Sequence, residues 1–84
     1  SKYPFVQIEW LDIEGDSGWS STRSLNKLKL PVCVSKGYLV SQKQGVTRIF
    51  TDFIKTADKE TFETIGNTTI IPTSVIQSIK KIAN

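Results

Sequence analysis

A chain of 84 residues with eleven basic and eight acidic side chains, no histidine and a single cysteine has the length of one domain. At that size folding buries only about 60 to 65 percent of the unfolded chain's surface and leaves little surplus stability. One cysteine excludes an intramolecular disulfide and the lack of histidine argues against a multi-ligand zinc site, so self-association is the remaining route to extra stability.

The 38% hydrophobic and 23% charged content is that of a soluble globular domain, and no apolar run approaches the roughly 20 residues a membrane span needs. With no charged-then-apolar leader and one unpaired thiol, the expected location is cytoplasmic. Charge is uneven. Residues 1–16 set Lys2 against Glu9, Asp12, Glu14 and Asp16, whereas the rest of the chain is strongly basic and brings the total to +3. A solvated surface of mixed sign and an electrostatic surface for a polyanion both fit that pattern.

Residues 5–13 open with alternation, Phe5, Gln7 and Glu9 against Val6, Ile8 and Trp10, which predicts a first strand. Residues 14–18, Glu-Gly-Asp-Ser-Gly, form a turn-rich break, after which Ser20-Ser21-Thr22 can cap a short helix with apolar contacts at Leu25 and Leu28, closed by Pro31. A second strand follows from Val32 to Ser41. Gly37 within it marks a bend or a close backbone approach, and Cys33, flanked by valines, reads as a buried inert thiol. Gln42-Lys43-Gln44-Gly45 is a hairpin loop that makes strands two and three antiparallel neighbours.

Residues 46–55 carry Ile49/Phe53 and Phe50/Ile54 four apart, which a helix would satisfy, but Thr47, Ile49, Phe50, Thr51, Phe53 and Ile54 prefer strands, and a third strand is expected. Residues 56–60 read as a loop and 61–65 as strand-prone, with Gly66-Asn67 as a bulge in the fourth strand. At the end, the β-branched run Thr68-Thr69-Ile70-Ile71 meets Pro72, turns through Thr73-Ser74, and resumes as an isoleucine-rich segment. Ser74 could cap a helix there, yet the β-branched content favours a fifth strand.

No pattern in the chain supplies catalysis. Gly15-Asp16-Ser17-Gly18 echoes a serine-protease motif without any histidine to act as base. Asp12-x-Glu14-x-Asp16 resembles half of a calcium loop, but Ser17 and Arg23 stand where glycine and a bidentate glutamate are required. The chain is therefore expected to be no enzyme, with no metal and no cofactor. Lys36, Lys43, Arg48, Lys55, Lys80 and Lys81, near Tyr38, Phe50 and Phe53, give the mixture of cations and rings that single-stranded nucleic acid requires; edge lysines and core phenylalanines give the same pattern. Trp10 and Trp19 flank the acidic turn and suit core or interface packing.

Val32-Cys33-Val34-Ser35-Lys36-Gly37-Tyr38-Leu39-Val40, the strand from Val46, and Ile70-Ile71-Pro72-Thr73-Ser74-Val75-Ile76-Gln77-Ser78-Ile79 resemble small bacteriophage proteins and, behind them, the Sm-like barrels, including the bacterial host-factor type. The phage resemblance also takes in Glu9-Trp10-Leu11-Asp12 and Asp16-Ser17-Gly18-Trp19. It implies an all-β fold, a five-stranded, strongly bent antiparallel small barrel of Sm/SH3-like type with one short helix. In the Sm-like family the fourth strand of one subunit pairs with the fifth of the next to close a ring, and RNA bases bind in loops facing the pore. By position those loops are residues 42–45 and 71–74. The family's acidic-and-asparagine and Arg-Gly or Lys-His signatures are missing, Pro72-Thr73 stands in the second loop, and residues 14–30 are an insertion.

Two expectations follow. The first is a ring-forming Sm-like module in an infected host cell, pentamer to heptamer, joined through Ile70, Ile76, Ile79 and Ile82, and binding RNA or single-stranded nucleic acid with Lys43, Gln44, Arg48, Thr73 and Ser74. The alternative is a non-enzymatic protein-interaction or structural phage protein that uses the acidic turn and Trp19.

Overall fold

In a computed structural model, which describes residues 3–55 and 64–83, alternation along the first segment produces strand β1 (Phe5–Leu11) with Val6 and Ile8 buried. Trp10 continues the same face, half-buried, and its indole N–H donates to Ser35 Oγ at 3.0 Å. Strand β1 stops before Ile13 because the Asp12 carboxylate accepts the Ile13 amide at 2.8 Å, an interaction that competes with the ladder.

Strand β2 (Val32–Lys43) has 12 residues and serves two neighbours in succession. Val32 to Tyr38 pair antiparallel with β1, and Tyr38 to Lys43 pair with β3 (Val46–Phe53), so Tyr38 lies opposite both Phe5 and Phe50. The strand can do this because Gly37 has no side chain: a Cβ there would sit 2.8 Å from the Phe50 carbonyl oxygen and 3.3 Å from Ile49 Cβ. A register shift between Leu39 and Ser41 adds to the bend. The hairpin loop is tighter than the four residues expected. Lys43 pairs with Val46, and Gln44 and Gly45 alone turn the chain at φ 59° and 76°, the type I′ geometry that matches the twist of antiparallel strands.

The ambiguous third segment is a strand, as its residue types require, and ends at Phe53. Strand β4 (Ile65–Pro72) pairs with it. The expected bulge at Gly66-Asn67 is a point irregularity without a register shift: Asn67 takes φ 56°, and the ladder passes from Asp52–Gly66 to Phe50–Thr68. The loop and strand readings for residues 56–63 lie outside the described residues. After Pro72 a single 3-10 turn, Thr73–Val75, leads into β5 (Ile76–Lys81), so the tail runs extended. Strand β5 pairs with β1, not with β4.

The result is all-β, one five-stranded antiparallel sheet in the order β4-β3-β2-β1-β5 with one short helix, α1 (Thr22–Lys27). The five antiparallel strands and the short helix are as expected, while the sheet is not closed, so the expected barrel fits it only loosely. The physical reason is the β4–β5 connection. Its 3-10 turn carries the chain over the core, where Val75 packs, and delivers β5 to the far edge of the sheet.

Val6, Ile8, Ile49 and Ile71 form the buried core, with Trp10, Leu39, Val75, Ile76 and Ile79 packed against it. The next residue after Ile49 points to the opposite face. There Phe50 is fully buried, stacked on Tyr38 at 5.2 Å and edge-on to Tyr3 at 5.8 Å, while Tyr38 meets Phe5 and Phe53 edge-on at 5.0 and 6.0 Å. The sheet is thus aliphatic on one side and aromatic on the other where it bends.

Helix α1 is correctly foreseen but packs differently. Ser21 Oγ caps it by accepting the Ser24 amide at 3.0 Å, yet none of its residues is buried, and Leu25 and Leu28 are 62% and 64% exposed instead of resting on the sheet. The helix ends at Lys27, ahead of Pro31, where Leu28 turns extended and its amide donates to the Leu25 carbonyl at 3.1 Å.

Gly37→Ala is expected to cost about 1 to 3 kcal/mol, the range for forcing a methyl group into an occupied space. Urea unfolding should show a lower midpoint at unchanged slope, and an unchanged midpoint would mean the two strands do not approach as described.

Candidate functional site

Two turns far apart in sequence meet at one end of the sheet. The Thr73 amide donates to the Gly45 carbonyl at 3.0 Å, which fastens the β4–β5 turn to the tip of the β2–β3 hairpin. Beneath that bond the hydroxyls of Thr47 and Thr73 lie 2.9 Å apart, and the Gln42 amide donates to Thr47 Oγ1 at 3.3 Å. Thr47 is fully buried, so its hydroxyl would be costly if unpaired; both contacts satisfy it.

On the hairpin itself Arg48 folds back across the turn. Its guanidinium donates to the Lys43 carbonyl at 3.3 Å and to Gln44 Oε1 at 3.2 Å. Lys43, Gln44, Thr73 and Ser74 are exposed and Arg48 is half-buried. Gln44 lies in the hairpin turn with Lys43 and Arg48 on the strands beside it, and Thr73 and Ser74 lie in the turn joined to it, so all five residues proposed from the sequence stand at this end of the sheet. They include cations, an amide and hydroxyls, the groups that contact phosphates and base edges. None is arranged as an activated nucleophile or a general acid/base pair.

Thr47, which holds the two turns together, carried no signal in the sequence beyond strand propensity. Gln7 was also missed. It lies directly between Lys36 on β2 and Lys80 on β5, on the aromatic face, a grouping that only the strand order creates.

The four isoleucines expected at a subunit interface are placed differently from one another. Ile70 is 62% exposed on β4, opposite Arg48. Ile76 and Ile79 are half-buried against the core, and Ile82 is half-buried with its amide donating to the Phe5 carbonyl at 3.0 Å. Much of the apolar surface expected to flank an edge is thus turned toward the subunit itself.

The acidic turn spends its carboxylates locally, with Asp16 Oδ1 accepting the Gly18 amide at 2.9 Å. Among the described residues no group of three or more His, Cys, Asp or Glu side chains could hold a metal ion. Cys33, expected to be buried, is half-buried, its sulfur 3.9 Å from Asp12 Oδ2, because it sits where β2 leaves the sheet toward the exposed segment. Trp10 packs on the core as expected, whereas Trp19 is fully exposed.

No family model, curated protein or solved structure matches the chain. Among the described residues no helix is long and apolar enough to cross a membrane.

Thr47→Val removes the hydroxyl at nearly constant volume and frees the exposed Thr73 and Gln42 groups to meet water, so the expected cost is about 1 kcal/mol. For a domain of this size that lowers the thermal midpoint by about 4 to 8 °C. Calorimetry giving a wild-type midpoint would show that the joint between the turns contributes nothing.

Proposed function

We propose that this chain is a non-enzymatic, Sm-like sheet module that binds RNA or single-stranded DNA at the joined turns and assembles into a closed ring through its outer strands. The observation that carries the binding reading is the Thr73–Gly45 hydrogen bond, which ties the turn carrying Thr73 and Ser74 to the tip of the hairpin carrying Lys43, Gln44 and Arg48. In this reading Lys43 and Arg48 supply phosphate contacts and the Gln44 amide and the Ser74 hydroxyl meet sugar and base edges, while Thr73, held to Thr47 by its hydroxyl, contributes by fixing the turn.

Support for assembly comes from the strand order. Strands β4 and β5 are the two ends of the sheet, so β4 of one copy can extend the sheet of the next along its β5, a head-to-tail contact of the kind that closes rings. Ile70, 62% exposed, is the more open of the two exposed isoleucines on β4. The resemblance to phage proteins carries the same reading to the cytoplasm of an infected cell. A second reading, a protein-interaction module, is favoured by the exposed segment around Trp19.

Fluorescence anisotropy with a labelled single-stranded oligonucleotide tests the binding. The affinity is expected to fall with salt, by a log–log slope of about −0.7 for each phosphate neutralised. Lys43→Glu combined with Arg48→Glu should weaken it by at least about tenfold, the loss of two phosphate contacts and the gain of repulsion. Failure of the wild-type protein to bind at low salt would overturn the proposal.

A further inference from the structure

We propose that residues 13–32 are an arm through which two copies of this chain pair, arm against arm, about a two-fold axis near Trp19 and Ser20. This contact is separate from the strand-edge pairing above and does not depend on it. All twenty of these residues are exposed, including every residue of α1. The radius of gyration is 16.9 Å and the extents are 61 × 24 × 23 Å, whereas a compact chain of this length has a radius of about 12 Å. A helix of six residues is too short to persist on its own, since isolated helices below about 12 residues are marginal in water. Helix α1 therefore requires packing that its own sheet does not supply.

The arm carries what such packing needs. Trp19, Leu25 and Leu28 line a groove of about 470 Å³ between the helix and the acidic loop, with Glu14 and Asp16 on the loop side. The charges are self-complementary: Glu14 and Asp16 lie on the limb that enters the arm, and Arg23, Lys27 and Lys29 on the limb that leaves it. Two arms laid antiparallel set each acidic limb against the other's basic limb and close the two apolar grooves on each other, so the same residues meet on both sides of the axis. A nucleic-acid occupant is disfavoured by the acidic limb.

Because no side chain of the arm is buried, its substitution leaves the sheet intact, which circular dichroism will verify. Sedimentation equilibrium of Trp19→Asp/Leu28→Asp is expected to give a mass lower than wild type by about twofold, since an isologous contact joins units in pairs whatever their size. In a Cys33→Ser background, Ser20→Cys should oxidise to a covalent dimer while Lys36→Cys, on the face of the sheet, does not. Equal masses for wild type and the double variant, or no more cross-linking at position 20 than at position 36, would overturn the proposal.

Discussion

The close passage of Gly37 against the Phe50 carbonyl, with room for a hydrogen and none for a methyl group, is the constraint on which the rest of the molecule depends. It allows one 12-residue strand to give its first half to β1 and its second half to β3, with Tyr38 shared between them. A side chain at this point would push β2 away from Ile49 and Phe50 of β3 and loosen the pairing the small core rests on.

From that bend come two apolar layers. The concave side collects Val6, Ile8, Ile49 and Ile71, and the other side collects the rings of Tyr3, Phe5, Tyr38, Phe50 and Phe53. Four aliphatic residues are a modest core, each fully buried side chain stabilising by about 1.5 to 3 kcal/mol, so a chain this short needs its second face as well. The β3–β4 register, with Val46 opposite Pro72, sets the β4–β5 turn beside the β2–β3 tip. Thr47 then finds Thr73, and Gly45 finds the Thr73 amide. The candidate binding surface is thus a product of strand pairing and not of any local motif.

Much of this was legible in the residues. Alternation placed β1 and β2, β-branched content resolved β3 against a helix and kept the tail extended, and Gly37 was identifiable as a close approach because nothing else in that strand explains a glycine. The missing parts are those that depend on more than one segment. Gln44 adopts a left-handed conformation that composition does not announce, so the turn was expected to be longer. A barrel was expected, and its closure is not reached because that rests on where a three-residue turn after Pro72 sends β5. Leu25 and Leu28 had the spacing of a helix with one packed face, and spacing alone does not say whether the sheet reaches that face; both are exposed. The five proposed contact residues stand at or beside the two turns because turn chemistry marked those segments, while Thr47, which joins the turns, looked like any strand threonine.

The bent-strand architecture is tested most directly by backbone nuclear Overhauser contacts in the isotopically labelled protein. If β2 is continuous through Gly37, Tyr38 shows cross-strand contacts to both Phe5 and Phe50, flanked by Val6–Gly37 on one side and Leu39–Ile49 on the other. Contacts from Tyr38 to only one of these partners, with the segment divided into two unconnected strands, would contradict it.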